Sequence, residues 1–293
     1  MMIRKDARCL FCLCKVRIAL FASLSAVSGL VLAANPTPAK FLALFTGVFQ
    51  LACGACALNQ YQEKDIDALM PRTGGRPIPS GRIGSQSALY LSLVLIYSGF
   101  AILLCAGPLL LPVLGLGAVL WYNGVYTWLK KKSAFAAVPG ALVGAIPPAM
   151  GWVAGGSDLS DPRLTALCFF FFMWQVPHFW LHLMTCGREY SEAGLPSLTA
   201  IFTNTQMGRL IFHWISATAV GALLLCLYGL LQTLVAQVAL VGASLWLLYD
   251  AVKLLWASDA DCRWAFRVVN VYMLIVILLV FFDTGLMTSQ MIY

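Results

Sequence analysis

Charge is what this 293-residue sequence has least of: Asp, Glu, Lys and Arg together make up 11% of it, against about 25% in ordinary soluble domains. So few charges cannot cover a water-soluble globule of this size. A soluble enzyme, a disordered tail and a nucleic-acid-binding domain are thereby excluded. Histidine is scarcer still, with three copies, and the ten cysteines are scattered. Cys9, Cys12 and Cys14 lie near the N-terminus and Cys53 and Cys56 further on, but neither set has the paired second motif of a zinc site. They read as reduced structural thiols, since free Cys packs as a small apolar residue. What abounds is apolar: 61% of the residues are hydrophobic and mean hydropathy is +0.84. This is the composition of an all-α polytopic membrane protein.

A helix needs about 20 largely apolar residues to cross the hydrocarbon core. Nine runs reach that length: residues 17–36, 40–59, 86–106, 109–129, 134–155, 163–186, 209–231, 233–256 and 265–288. Lipid forces every backbone group to pair within its segment, and the runs are too long and evenly apolar for barrel strands, so helices are expected. The first run follows a basic stretch and lacks a small-residue cleavage site, so it reads as a span.

All but Lys40 and Arg163 of the 19 Lys and Arg residues fall at alternate ends of these runs. Arg4, Lys5, Arg8, Lys15 and Arg17 precede span one; Lys64, Arg72, Arg76 and Arg82 follow span two; Lys130, Lys131 and Lys132 follow span four. Arg188 and Arg209 flank the loop after span six, and Lys253, Arg263 and Arg267 the loop after span eight. The positive-inside rule then predicts a cytoplasmic N-terminus and an outside C-terminus. The net charge of +7 is a topological signal, and nucleic acid is not an expected partner. Residues 1–16 are expected to form a basic cytoplasmic tail, and 17–293 one transmembrane domain with cytoplasmic active-site loops at 60–85 and 187–208.

The acids are more pointed. Three of the twelve, Glu63, Asp65 and Asp67, fall together after span two. If span two continues as a helix, Asn59, Glu63 and Asp67 share one face at spacing i, i+4, i+8, while Asp65 points away. Two carboxylates and an amide oxygen at a helix end suit Mg²⁺, which takes a few carboxylates, waters and phosphate oxygens. Arg72 and Arg76 follow a proline break, and guanidinium forks match phosphate. A secondary transporter, the rival reading from another class, would hold its coupling acids near the bilayer midplane; here they cluster at helix ends.

The segment from Asn59 to Gly81, including Met70-Pro-Arg72-Thr73 and Gly75-Arg76-Pro77, resembles the first signature of the UbiA-type intramembrane prenyltransferases. Two further blocks follow in the family's order. One is Tyr126-Thr127 with Leu129-Lys130-Lys131, then Gly140, Gly144, Pro147-Pro148 and Gly151-Trp152; the other is Trp174-Gln175, Pro177-His178-Phe179 and Glu189-Tyr190. Where the family usually has Asp, this chain has Glu63 and Glu189, each one methylene longer.

The resemblance, strongest to the heme-modifying branch, implies transfer of a farnesyl group from farnesyl diphosphate to a vinyl group of protoheme IX, with addition of water, giving heme O and diphosphate. The rival within the family would prenylate an aromatic quinone precursor. The resemblance further implies a nine-helix bundle in a bacterial cytoplasmic (inner) membrane with its active site facing the cytoplasm. A heme A synthase or terminal oxidase subunit is an expected assembly partner. It assigns Mg²⁺ to Asn59, Glu63, Asp67 and Glu189, and the diphosphate to Arg72, Arg76, Lys130 and Lys131. The acceptor falls to His178 and Trp174. A His178 nitrogen beside Pro177 would meet the heme iron or a propionate. Phe169 to Phe172, Trp174, Phe179 and Trp180 offer ring faces to an allylic cation. His182 stands one turn beyond His178, and Asp250 and Lys253 are expected to pair within the membrane.

Overall fold

The computed structural model describes residues 2–33, 36–256 and 259–290, without the side chains of 2–6, 186, 188, 259–261 and 288–290. The side chains of Arg4, Lys5 and Arg188, part of the charge pattern above, lie outside the described residues.

Helix α1 (Met2–Leu13) leads into α2 (Val16–Ala33) and α3 (Pro38–Gln62), then the short α4 (Lys64–Leu69) and α5 (Pro71–Gly74). Next come α6 (Ser85–Ala106), α7 (Leu110–Val119), a π-helical segment at Leu120–Tyr126, α8 (Thr127–Leu129), α9 (Ala137–Gly140) and α10 (Leu142–Ala154). The long α11 (Pro162–Glu192), α12 (Leu198–Ile201), α13 (Asn204–Leu227), α14 (Leu234–Val252) and α15 (Asp259–Gln290) complete the chain. Among the described residues there is no strand, and 9 helical stretches are long and apolar enough to cross a membrane.

Their ends follow local chemistry. Thr37 and Asp161 cap α3 and α11, each followed by a proline that needs no hydrogen-bonding N–H at that position. Span seven starts before Arg209, at Asn204, because Thr203 and Gln206 close a reciprocal capping box there. Likewise α11 runs on to Glu192, which puts Glu189 on a helix and shortens the loop expected at 187–208.

The helices pack as two halves around separate apolar cores, one built mainly from α2, α3, α6, α7 and α10 and the other from α11, α13, α14 and α15. Close approach of α2 and α10 requires Gly151, where a Cβ would run into the Ala26 carbonyl. Residues 1–16, expected as a tail, contain a docked helix. Cys9 and Leu13 of α1 are buried, and the Gln60 amide donates to the carbonyls of Cys12 and Leu13 at 2.9 and 3.0 Å. The apolar side of α1 and the free carbonyls at its end are thus satisfied by α3.

Candidate active site

A cavity of about 510 Å³ opens at the end of the bundle where the first, third, fifth, seventh and ninth spans begin or the even ones finish. Its polar end is built on the continuation of α3. Glu63 closes α3 and opens α4, its N–H donating to the Asn59 carbonyl and its carbonyl accepting from Asp67 N–H, so the helical path barely breaks. Asn59, Glu63 and Asp67 are all buried and line the cavity, while Asp65 is exposed. The stripe expected from the sequence is therefore present.

Each of these oxygens already faces a cation. Lys15 Nζ donates to Asn59 Oδ1 at 3.3 Å, Lys130 Nζ pairs with Glu63 Oε1, and Arg76 Nη1 meets Asp67 Oδ2 at 2.6 Å. Buried carboxylates need such partners. Glu189 Oε2 accepts from the Arg72 backbone N–H at 3.2 Å and stays outside the cavity lining. Thr73 Oγ1 bonds the Asp67 carbonyl and the Arg82 guanidinium bonds the Gly75 carbonyl, which ties the 70–82 loop back on itself and aims Arg72 and Arg76 inward. Lys131 points elsewhere: one residue beyond Lys130 on a helical end, it sits over the Trp128 ring.

The donor set suits a hard divalent cation. It is made of oxygens, and two of them, Gln60 Oε1 and Glu63 Oε1, are buried without a hydrogen-bond partner, Glu63 having only its ion-pair contact with Lys130. Among the described residues no three His, Cys, Asp or Glu side chains form a closed metal cluster. An ion here would take its remaining ligands from water and substrate, as Mg²⁺ does.

Much of the remaining lining is aromatic. Tyr122, Tyr126 and Phe179 stack in a column, with centroids 5.8 and 5.6 Å apart. His178, Trp180, His182 and Phe266 complete the wall. Tyr122 and Tyr126 belong to the π-helical segment, an irregularity that recurs at functional sites. Here it is held by Asn123, whose amide donates to the Ala55 carbonyl and to Gln62 Oε1. The Tyr126 ring lies over Gly140, where any Cβ would strike it. Phe170 and Phe171, expected to offer ring faces, are instead buried in the second core, Phe170 edge-on to Tyr272. Trp174 stands behind the cavity wall: its indole N–H donates to the Val269 carbonyl at 2.9 Å and its ring packs 4.9 Å from His178.

Sequence reasoning missed Lys15, Gln60 and Tyr122 as cavity residues. Lys15 read only as a topological charge. The structure gives it a left-handed backbone, φ 45°, at the α1–α2 corner, which turns its side chain into the site. A non-glycine residue held there is strained, and such strain gathers at functional sites. Burial, reinforced by Arg76 and Lys130, pushes its ammonium pKa below the usual lysine value, against the opposing pull of Cys56 and Glu63.

Residues 22–278 match the model of the UbiA prenyltransferase family. The chain is 36% identical over 278 residues to a protoheme IX farnesyltransferase of Oleidesulfovibrio alaskensis, covering 95% of this chain and 96% of that one. It is 40% identical over 220 residues to a protein of the same name from Geobacter sulfurreducens, covering 73% and 79%. Among solved structures, a UbiA homolog from Archaeoglobus fulgidus bound to GPP and Mg²⁺ superposes with a TM-score of 0.65 at 13% identity, covering 93% of this chain and 99% of that one.

Proposed function

Because this chain belongs to the UbiA prenyltransferase family, we propose that it is an integral membrane enzyme transferring a farnesyl group from farnesyl diphosphate to a vinyl group of protoheme IX. Water adds in the same reaction, and heme O and diphosphate leave. One observation supports this above the rest. The same cavity of about 510 Å³ is lined by the paired carboxylates and cations and by the rings of Tyr122, Tyr126 and Phe179.

In this reading Arg76, Lys130 and Lys15 leave their oxygen partners and, with Arg72, take the diphosphate oxygens, so no buried charge is stranded as substrate enters. Lys131 stays outside this set. Asn59, Glu63 and Asp67 would hold Mg²⁺, with Glu189 reaching in from the rim. That ion would neutralise charge on the leaving diphosphate; the Archaeoglobus homolog was solved with GPP and Mg²⁺ bound. The farnesyl C1–O electron pair departs with the diphosphate. The faces of Tyr122, Tyr126 and Phe179 then attract the allylic cation and keep water from it until the vinyl π electrons attack C1. Water captures the new cation beside the macrocycle and releases a proton. The cavity mouth is assigned to the cytoplasmic face of a bacterial inner membrane on the distribution of Lys and Arg.

The test is incubation of membranes holding this chain, from a host without its own such activity, with farnesyl diphosphate and protoheme IX. A heavier, more hydrophobic heme by chromatography is expected. Prenylation of an aromatic acid alone would overturn the acceptor. Substrate flux in proteoliposomes that survives loss of both Glu63 and Asp67 would instead support a transporter.

A further inference from the structure

In the wall of the cavity one side chain from the last span reaches a histidine of span six. His178 Nδ1 lies 2.8 Å from Asn270 Oδ1. The amide cannot turn over, because Asn270 Nδ2 donates to the Phe266 carbonyl at 2.5 Å, one turn back on α15. A carbonyl only accepts, so the amide nitrogen must face Phe266 and the amide oxygen must face the imidazole. That oxygen in turn only accepts. The proton therefore sits on His178 Nδ1, and Nε2 keeps its lone pair.

The ring is also held in plane. Trp174 packs 4.9 Å from it on its own helix and Phe266 5.0 Å from it on α15. Trp174 is locked by its bond to the Val269 carbonyl, and Phe266 carries the carbonyl that anchors Asn270. Among the described residues nothing hydrogen-bonds Nε2, and His178 lines the cavity. His182, the other cavity histidine, packs 5.8 Å from Phe266, and among the described residues no such amide stands behind it.

We propose that Asn270 is a positioning residue that fixes the tautomer and orientation of His178, so that Nε2 ligates the iron of the tetrapyrrole acceptor. This rests on the reading of the acceptor as protoheme IX. An outer partner that holds the second ring nitrogen of a ligating histidine sets its tautomer and raises its basicity. The iron would thereby be anchored beside His178 and Phe266.

The experiment uses the full chain in detergent with ferric protoheme IX alone, reading affinity, absorption spectrum and reduction potential. His178→Gly should lose the nitrogen-ligated spectrum and regain it on adding imidazole. Asn270→Leu should weaken heme binding about tenfold to a hundredfold, the usual effect of removing such a partner. Asn270→Asp keeps an acceptor behind Nδ1 and should retain ligation with a more negative potential than the unsubstituted chain. A role in packing alone would not move that potential. An unchanged spectrum in His178→Gly, its loss in His182→Gly instead, or an Asn270→Asp variant no different from Asn270→Leu would each overturn the proposal. If the unsubstituted chain farnesylates protoheme IX while His178→Gly keeps its spectrum, only this inference falls. If the unsubstituted chain binds no heme and prenylates an aromatic acid, the acceptor reading falls with it.

Discussion

Asp67 and Arg76 should fail in opposite orders when stability and turnover are measured on the same two variants. Their contact is 2.6 Å, and the carboxylate side chain is 2% exposed against 19% for the guanidinium. Arg76→Gln leaves a charged, buried carboxylate without its ion-pair partner, which costs about 3–5 kcal/mol. Asp67→Asn leaves a guanidinium that reaches water and still finds an amide oxygen. The loss is then nearer that of one charge-assisted hydrogen bond, about 1.5–3 kcal/mol. For turnover the order reverses. A full charge about 4 Å from a cation, at an effective dielectric of about 20, is worth about 4 kcal/mol, or about a thousandfold in rate. Arg76 is one of several cations around the diphosphate, and its loss should appear mainly as a higher KM, about tenfold. Melting temperature in detergent and diphosphate release at limiting and saturating Mg²⁺ read both effects on each variant. The reasoning is refuted if Asp67→Asn melts below Arg76→Gln, or if it turns over at the unsubstituted rate when Mg²⁺ is limiting.

Lys15→Met should raise the KM for farnesyl diphosphate about tenfold, equivalent to about 1.4 kcal/mol, with a smaller change in kcat; steady-state kinetics at fixed heme check it, and an unchanged KM removes Lys15 from the site. Glu63→Asp should retain turnover, since the carboxylate persists and the Lys130 stem is flexible enough to follow it; loss of diphosphate release comparable to that of Glu63→Gln would contradict this. Asp283 accepts from Gln232 N–H, Thr233 N–H and the Thr233 hydroxyl at the start of α14. Asp283→Ala should accordingly lower stability by about 2–4 kcal/mol, the loss of charge-assisted bonds at two orphan N–H groups, while activity per folded molecule is unchanged.

The site was legible where its residues share one stretch of chain. Asn59, Glu63 and Asp67 line up because α3 and α4 follow nearly one helical path, and the outward position of Asp65 follows from the same periodicity. The pairing of Lys253 with Asp250 was likewise readable from a spacing of three, and the two are 2.5 Å apart. Legibility failed where register or remote packing intervened. The π-helical segment re-aims Tyr122 and Tyr126, so the aromatic column forms there and not from Phe170 and Phe171. Asp283 carried no assignment from the sequence. Only its partners reveal it as the cap of a neighbouring helix.

By itself the sequence determined the nine candidate spans found among the described residues and about where each begins, because hydropathy is a property of consecutive residues. The scarcity of charge made each remaining charge informative. Which groups meet was decided by the tertiary structure. Lys15 reaches Asn59 across 44 residues and His178 reaches Asn270 across 92. These meetings depend on how whole helices pack, through close approaches such as Gly151 on Ala26 and a strained corner at Lys15. No local pattern encodes the burial that brings such distant partners within a hydrogen bond.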